Sequence, residues 1–503
     1  MNPISVLLTI AIYFAVLFLI SYIAGRKADN EGFFVGNRRS SWYVVAFAMI
    51  GSSISGVTYV SVPGMVAEAG FSYLQMVLGF VVGQFLIAFV LVPLFYRMNL
   101  VSIYEYLENR FGMSSYKTGA WFFFLSKMLG AAVRLFLVCL TLQVLIFEPL
   151  QLPFLLNVAV TVALVWLYTF QGGVKSLIWT DMLKTFCLVV SVVLCIYFIA
   201  DDLNLGVGGL IATIRDSDFS RMFYFDDINN KYYFFKQFFA GVFTMIAMTG
   251  LDQDMMQRNL SCKNFKDSQK NMITSGISQF FVILLFLMLG VLLYTYGGLN
   301  GLFAPKEIEG DKVFLLVATR NFPMFVGVLF IIGLISSAYS AAGSALTALT
   351  TSFTVDILGV KNKKEKDIVK LRKRVHVGMA AVMGAVIVIF NILNNTSVIN
   401  AVYTLASYTY GPILGLFAFG IFIKKAVRDK FVPLVAVLSP LLCLILQKNS
   451  KAWFGGYEFS YELLILNALF TFAGLCLLIK RSLTPALSKG EGEGIQPKST
   501  TIK

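Results

Sequence analysis

Long apolar runs alternate with short polar loops along nearly the whole chain. Runs long enough to cross a bilayer, which takes roughly 17–25 residues, lie near 4–24, 43–66, 73–96, 118–147, 153–172, 178–199, 234–257, 271–298, 324–357, 375–393, 398–423, 430–446 and 460–479. Several exceed a straight crossing, so tilts or breaks are expected. The pattern predicts an all-α integral membrane protein with about thirteen transmembrane helices. The start, MNPISVLLTIAIYFAVLFLISYIAGRK, has no cationic leader and no cleavage pattern, and is expected to be the first span.

Two runs carry interruptions. GSSISGVTYVSVPG (51–64) places Gly51, three serines, Gly56, Thr58, Pro63 and Gly64 at about membrane depth, and AMTGLDQD (247–254) does the same in the seventh run. Backbone that leaves helical geometry there must be buried in protein or line a wet cavity. Both stretches are therefore candidate binding segments.

Composition agrees with the pattern: of 503 residues, 58% are hydrophobic and 14% charged, with mean hydropathy +0.77. The net charge of +14 could point to nucleic acid, but the basic residues sit in loops between apolar runs, where they report topology. One set of loops holds Arg26, Lys27, Arg38 and Arg39; Arg97, Arg110 and Lys117; Lys175 and Lys184; and Arg258, Lys263, Lys266 and Lys270. The same set continues with the basic residues of 361–374, then Lys424, Lys425, Arg428 and Lys430, and the tail. The other set is sparse: 200–231 is acidic and NILNNTS (391–397) is uncharged. The richer side is expected to be cytoplasmic, putting the N-terminus outside and the C-terminus inside a multi-pass protein of the cell (inner) membrane. The expected partners are the lipid bilayer and a small solute, not nucleic acid.

After the first span, spans two to six start from the cytoplasmic side and spans seven to eleven from outside, the opposite directions that an inverted repeat requires, and the first helix of each group carries an interruption. The expected units are a first span and loop (1–41), repeat one (42–199), an extracytoplasmic loop (200–233), repeat two (234–423), C-terminal spans (424–481) and a disordered tail (482–503).

Enzyme chemistry has little to stand on. The sequence holds no HExxH, zinc-ligand pair, phosphate-binding loop or carboxylate dyad on facing spans, so no catalytic or cofactor-binding residues are assigned. Its six cysteines have neither metal nor disulfide spacing; five lie in apolar runs and Cys262 in a basic loop. The single His376, beside Arg374 at the start of the tenth run, reads as a solvated interfacial residue.

Charge inside a span is more informative. In KMLGAAVRLFLVCLTLQ (127–143), Lys127 and Arg134 are seven residues apart and share one helix face. Arg134 lies about sixteen residues along its run, around 24 Å in, too deep for its charge to reach water easily. It needs either a partner such as Asp181 or free carbonyls, or a ligand; an arginine fork suits a carboxylate.

Five stretches in order carry a resemblance: SIYEYLENRFG (102–112), YTFQGGVKSLIWTDMLK (168–184), LDQDMMQRNLSCKNFKDSQK (251–270), SAAGSALTALTTSFTVDI (340–357) and YTYGPILGLFAFGIF (408–422). Together they resemble the solute:sodium symporter family. The resemblance implies a LeuT-type 5+5 inverted repeat with flanking helices. It also implies a sodium-coupled secondary active symporter that imports a small solute by alternating access, with Na+ as the coupled ion. By the same resemblance the main sodium site falls on the carbonyls of Gly51, Ile54 and Ser337, with Ser340 and Ala341, although Ala341 lacks the hydroxyl usual there. A second sodium site falls on Asp181, Ser340, Gly343 and Ser344, with Gly343 lacking a side-chain ligand. Members that carry sialic-acid-type solutes have an arginine in the fourth span and threonines in the broken helix, matched by Arg134 and Thr58. Asp252 matches a polar substrate position of sugar-carrying members. Gln75 is expected to reach the pocket from span three. An organic anion is the favoured solute. A sugar, vitamin or inorganic-anion symporter and a transporter-fold sensor without turnover are the alternatives.

Overall fold

A computed structural model of the chain describes residues 7–16, 41–98, 103–171, 174–303, 308, 310–358, 365–393 and 397–480, with the side chains of 171–184 outside that description. The first expected cytoplasmic loop (17–40), the start of the lysine-rich segment (359–364), the C-terminal tail from 481 and the side chain of Asp181 therefore lie outside the described residues.

The described residues are almost entirely helical, with one isolated antiparallel bridge between Val427 and Ile479. We number the principal helices α1 (Leu7–Val16), α2 (Trp42–Ser53), α3 (Gly56–Gly64), α4 (Tyr73–Met98), α5 (Met113–Phe147), α6 (Phe154–Gln171), α7 (Val174–Asp202) and α8 (Phe234–Gly250). They continue as α9 (Gln253–Asn259), α10 (Phe265–Leu299), α11 (Gly310–Arg320), α12 (Met324–Ser352), α13 (Glu365–Leu393), α14 (Val398–Phe422), α15 (Val432–Trp453) and α16 (Leu463–Leu477). Among the described residues, eight helices are long and apolar enough to cross a membrane, and α2 with α3 forms a ninth, bent candidate. The shorter apolar helices α1, α8, α16 and the apolar part of α6 occupy the other expected runs.

Both expected interruptions are breaks, and local chemistry makes each one. The last turn of α2 holds Gly51, Ser52 and Ser53, poor helix residues. Ile54 and Ser55 then turn extended (ψ 93° and 167°), and Ser55 Oγ caps α3 by accepting the Thr58 N–H at 3.4 Å. The axes on either side differ by 53°. In α8 the last turn widens, with the Leu251 N–H reaching back five residues to Ile246 O, and Asp252 caps α9 by accepting the Met255 N–H at 3.1 Å.

Glycine sets the tightest helix contact. A Cβ on Gly79 of α4 would lie 2.1 Å from Phe238 O, and one on Gly241 of α8 2.1 Å from Met76 O. Only glycine lets these two backbones touch. At the outer edge α15 exposes Leu434, Leu438, Leu441, Leu442 and Ile445, an apolar face suited to lipid.

Polar ties group the loops by end. At one end Arg110 donates to the carbonyls of Gly420, Ile423 and Lys425, and Asp429 accepts the Ser114 and Ser115 N–H groups at 2.8 and 2.9 Å. At the other, Lys231 pairs with Glu68 at 2.8 Å, Lys236 donates to Glu458 O at 3.1 Å, and Asp311 accepts the Val398 N–H at 3.0 Å. The Lys231 ammonium holds the Glu68 carboxyl below its usual pKa.

Three readings change here. Gln75 is fully buried but belongs to the loop: its amide donates to Tyr232 O at 2.9 Å and its carbonyl accepts the Tyr224 N–H at 3.0 Å. His376 is buried rather than solvated, its ring nitrogens bonded to the Thr169 and Thr350 hydroxyls at 3.0 and 2.9 Å, which joins α6 to α12. Cys262, though in the loop after α9, is fully buried, and burial pushes its thiol up to about 11.

Candidate functional site

Two adjoining cavities lie between α5, the two helix breaks and α14, sharing Arg134, Met248, Met255 and Val402 as walls. The first also meets Ser126, Lys127, Asp252 and Tyr410. The second is lined by hydroxyls of the broken helix and of α8, namely Ser53, Ser55, Thr58, Thr244 and Thr249, together with Gln279 of α10. Phe80 and Tyr403 also line it, and the Tyr403 hydroxyl bonds that of Tyr73 at 2.6 Å, joining α14 to α4.

Below Arg134 on the same face of α5, Lys127 is buried and fully engaged. Its ammonium donates to Asp252 Oδ1 and Oδ2 at 3.1 and 3.2 Å and to Asp254 Oδ2 at 3.1 Å. The Tyr410 hydroxyl donates to Asp252 Oδ2 at 2.8 Å. Ser344 of α12 donates to Asp254 Oδ1 at 2.9 Å and accepts from Arg258 Nη2 at 2.8 Å, while Arg258 Nε lies 3.5 Å from Asp254. Burying charge away from water is costly unless it is paired and hydrogen-bonded, and this network does both.

Arg134 is different. It is partly buried at the junction of the cavities, and among the described residues no carboxylate pairs with it.

The oxygen atoms at the first break are also unspent. Among the described residues no backbone N–H donates to the carbonyls of Gly51 or Ile54. Facing them is α12: a Cβ on Gly56 would lie 3.7 Å from Ser337 Oγ, which is fully buried and has no hydrogen-bond partner among the described residues. Ser340 is buried one turn on, and Ala341 is half-buried. Carbonyl and hydroxyl oxygens are the donors a hard cation requires.

The sequence profile of the sodium:solute symporter family matches residues 33–429. The chain belongs to that family. The sodium/sialic acid symporter NanT of Aliivibrio fischeri is 26% identical over 80% of this chain and 80% of its own. Human sodium-coupled monocarboxylate transporter 2 is 26% identical over 82% of this chain and 68% of its own. A solved substrate-bound, outward-open Na+-coupled sialic acid symporter superposes with TM-score 0.78 at 19% identity, over 94% of this chain and 97% of that one. The fold is therefore that of the LeuT-type sodium symporters, and this symporter is a transporter rather than an enzyme, with Na+ as its coupled ion.

Of the residues read from sequence, the structure brings Thr58, Arg134 and Asp252 to the cavities and sets Gly51, Ile54 and Ser337 around the first break. It keeps Gln75 out of the cavity walls and commits Ser344 to Asp254 and Arg258. Sequence reading missed Tyr410 and Gln279, and marked Ser55 and Asp254 only as members of the two interrupted stretches. Asp254, two residues after Asp252 at a helix restart, was the legible one.

Asp252 spends both oxygens on Lys127, Tyr410 and the α9 cap, so it holds the solute-free protein together. Asp252→Asn is expected to lower stability by about 3–5 kcal/mol, the cost of breaking a buried pair. Thermal unfolding of purified protein without solute reads this. Unchanged unfolding assigns the carboxylate to solute recognition instead.

Proposed function

We propose that this symporter imports a small organic monoanion with Na+, gripping the anion's carboxylate with Arg134. The observation that carries the reading is the contrast on one face of α5. Lys127 is neutralised by two carboxylates, whereas Arg134 meets the cavity with no carboxylate partner among the described residues. Arginine cannot shed its charge, and its planar fork matches a carboxylate. The local count among the described residues supports one negative guest: Lys127, Arg134 and Arg258 face Asp252 and Asp254, leaving one positive charge. Hydroxyls of Ser53, Ser55, Thr58, Thr244 and Thr249 along the adjoining wall suit a solute that itself bears hydroxyls. The relatives named above carry sialic acid and monocarboxylates, both acids, in line with this reading.

The Na+ cage of this reading takes the carbonyls of Gly51, Ile54 and Ser337 and the hydroxyl of Ser340, with Ala341 contributing no side-chain oxygen. The two ends described above suit a C-terminus in the cytoplasm of a cell (inner) membrane and an N-terminus outside. The end bearing Arg110, Lys425 and Asp429 is the basic one, and the positive-inside rule assigns it to the cytoplasm.

Arg134→Lys should weaken the anion that a thermal-shift screen of carboxylates in Na+ identifies by about 1.5–3 kcal/mol, roughly ten- to hundredfold. Normal binding by Arg134→Gln makes the residue structural and removes the clamp. Ser340→Ala should raise the Na+ concentration for half-maximal uptake, at a cost on the order of 1–3 kcal/mol, and Ser352→Ala should not; equal effects dissolve the cage. For topology the probes are Lys263→Cys and Ile228→Cys, both exposed, because native Cys262 is buried. An impermeant thiol reagent should label Ile228→Cys on intact cells and Lys263→Cys only after permeabilisation. The reverse pattern inverts the orientation.

A further inference from the structure

The two carboxylates that hold Lys127 sit at the second helix break, one capping α9 and the other in its first turn. Tyr410 of α14 and Ser344 of α12 add hydroxyl oxygens within 2.8 and 2.9 Å of them. Two carboxylates and two hydroxyls, drawn together from three helices, make an oxygen-rich and nearly dry cluster. A hard metal cation favours such donors. The cation found there is an ammonium carried on α5, within 3.2 Å of three carboxylate oxygens.

We propose that Lys127 is a tethered cation standing in for a second sodium ion, so that this symporter couples one Na+ per cycle. Buried carboxylates require a positive partner. A partner taken from solution binds and leaves in every cycle and draws on the ion gradient. A partner on the chain does neither. The cluster is also already balanced: Lys127 and Arg258 offset Asp252 and Asp254. An added Na+ would be an uncompensated charge in a buried place. Ser344, one of the residues that the resemblance gave to a second ion, is spent on Asp254 and Arg258.

The ion count does not depend on the nature of the solute. With the monoanion of the preceding reading, one Na+ per turnover moves no net charge, so the membrane potential adds nothing. A tenfold Na+ gradient then supports about tenfold accumulation.

Equilibrium binding of radiolabelled Na+ to purified protein, without solute, tests the ion count alone. The wild type should bind one Na+ per chain with a Hill slope of one, and Lys127→Arg should match it. Lys127→Met removes the cation nearest Asp252 while Arg258 stays beside Asp254, and should bind a second Na+ per chain. Two Na+ on the wild type, or one on a folded Lys127→Met protein, overturns the proposal. Should Lys127→Met not fold, Lys127→Gln, whose amide still donates to one carboxylate, puts the same question with the same expected gain. None of these outcomes bears on Arg134, so the anion reading stands or falls separately.

Discussion

A helix that stops in the middle of a membrane leaves backbone groups that lipid cannot satisfy. The architecture follows from how this chain meets that constraint twice. At each stop the next helix is started by a side chain of the chain itself, Ser55 for α3 and Asp252 for α9, so one amide at each restart, that of Thr58 and of Met255, is satisfied locally. Among the described residues no backbone N–H donates to the Gly51 and Ile54 carbonyls. The fold thus spends side-chain oxygens on its own N–H groups, and the carbonyls at the first break are the ones the proposed Na+ cage would use. The second break is pinned further, with the Tyr104 hydroxyl donating to Leu251 O at 2.8 Å and Gln253 accepting the Ile103 N–H at 2.8 Å.

The same economy governs charge. Lys127 and Asp252 are almost wholly buried, a placement that stands only because each has several partners from different helices. Removing one member exposes the rest to the full desolvation cost, so the cluster ties α5, α9, α12 and α14 into one unit. Arg134, two turns away on α5, is spared that role and faces the cavities. One helix face thus divides between a structural cation and one available to a guest.

The sequence made the spans and both breaks legible because apolar length and clustered Gly and Ser act over a few residues. Alternation of basic and acidic loops was legible for the same reason, and the ties at each end bring together loops of matching character. What stayed hidden depends on neighbours far along the chain. Lys127 and Asp252 are 125 residues apart, and helix periodicity gives the face of a residue but not what it meets. Gln75 read as a pocket residue because a buried amide in a span invites a ligand, yet a loop about 150 residues later supplied its partners. His376 read as solvated from its basic neighbours, while its helix turned it inward onto two threonines. Asp181, the sequence-level candidate partner of Arg134, lies with its side chain outside the described residues.

The geometry of the first break also bears on coupling. Ile54, whose carbonyl accepts no backbone N–H among the described residues, is followed at once by Ser55, whose hydroxyl caps α3 and which lines the second cavity, and then by Thr58 on the same wall. In the proposed arrangement, ion ligand and solute wall share the five consecutive residues 54–58. An ion that fixes the Ile54 carbonyl fixes the Ser55 cap, and with it the position of Thr58. A solute that prefers the wall so placed binds more tightly when the ion is present, and linkage requires that it raise ion affinity by the same factor. On that arrangement no signal has to travel between distant sites, because the two ligands would meet on one turn of broken helix. The strength of symport then depends on how far the 54–58 segment wanders without the ion, since a ligand shifts an equilibrium only by its difference in affinity between the states. Pinned by tight packing at Gly56 against Leu334 on one side and open to the cavity on the other, that segment is placed to be ordered by either ligand.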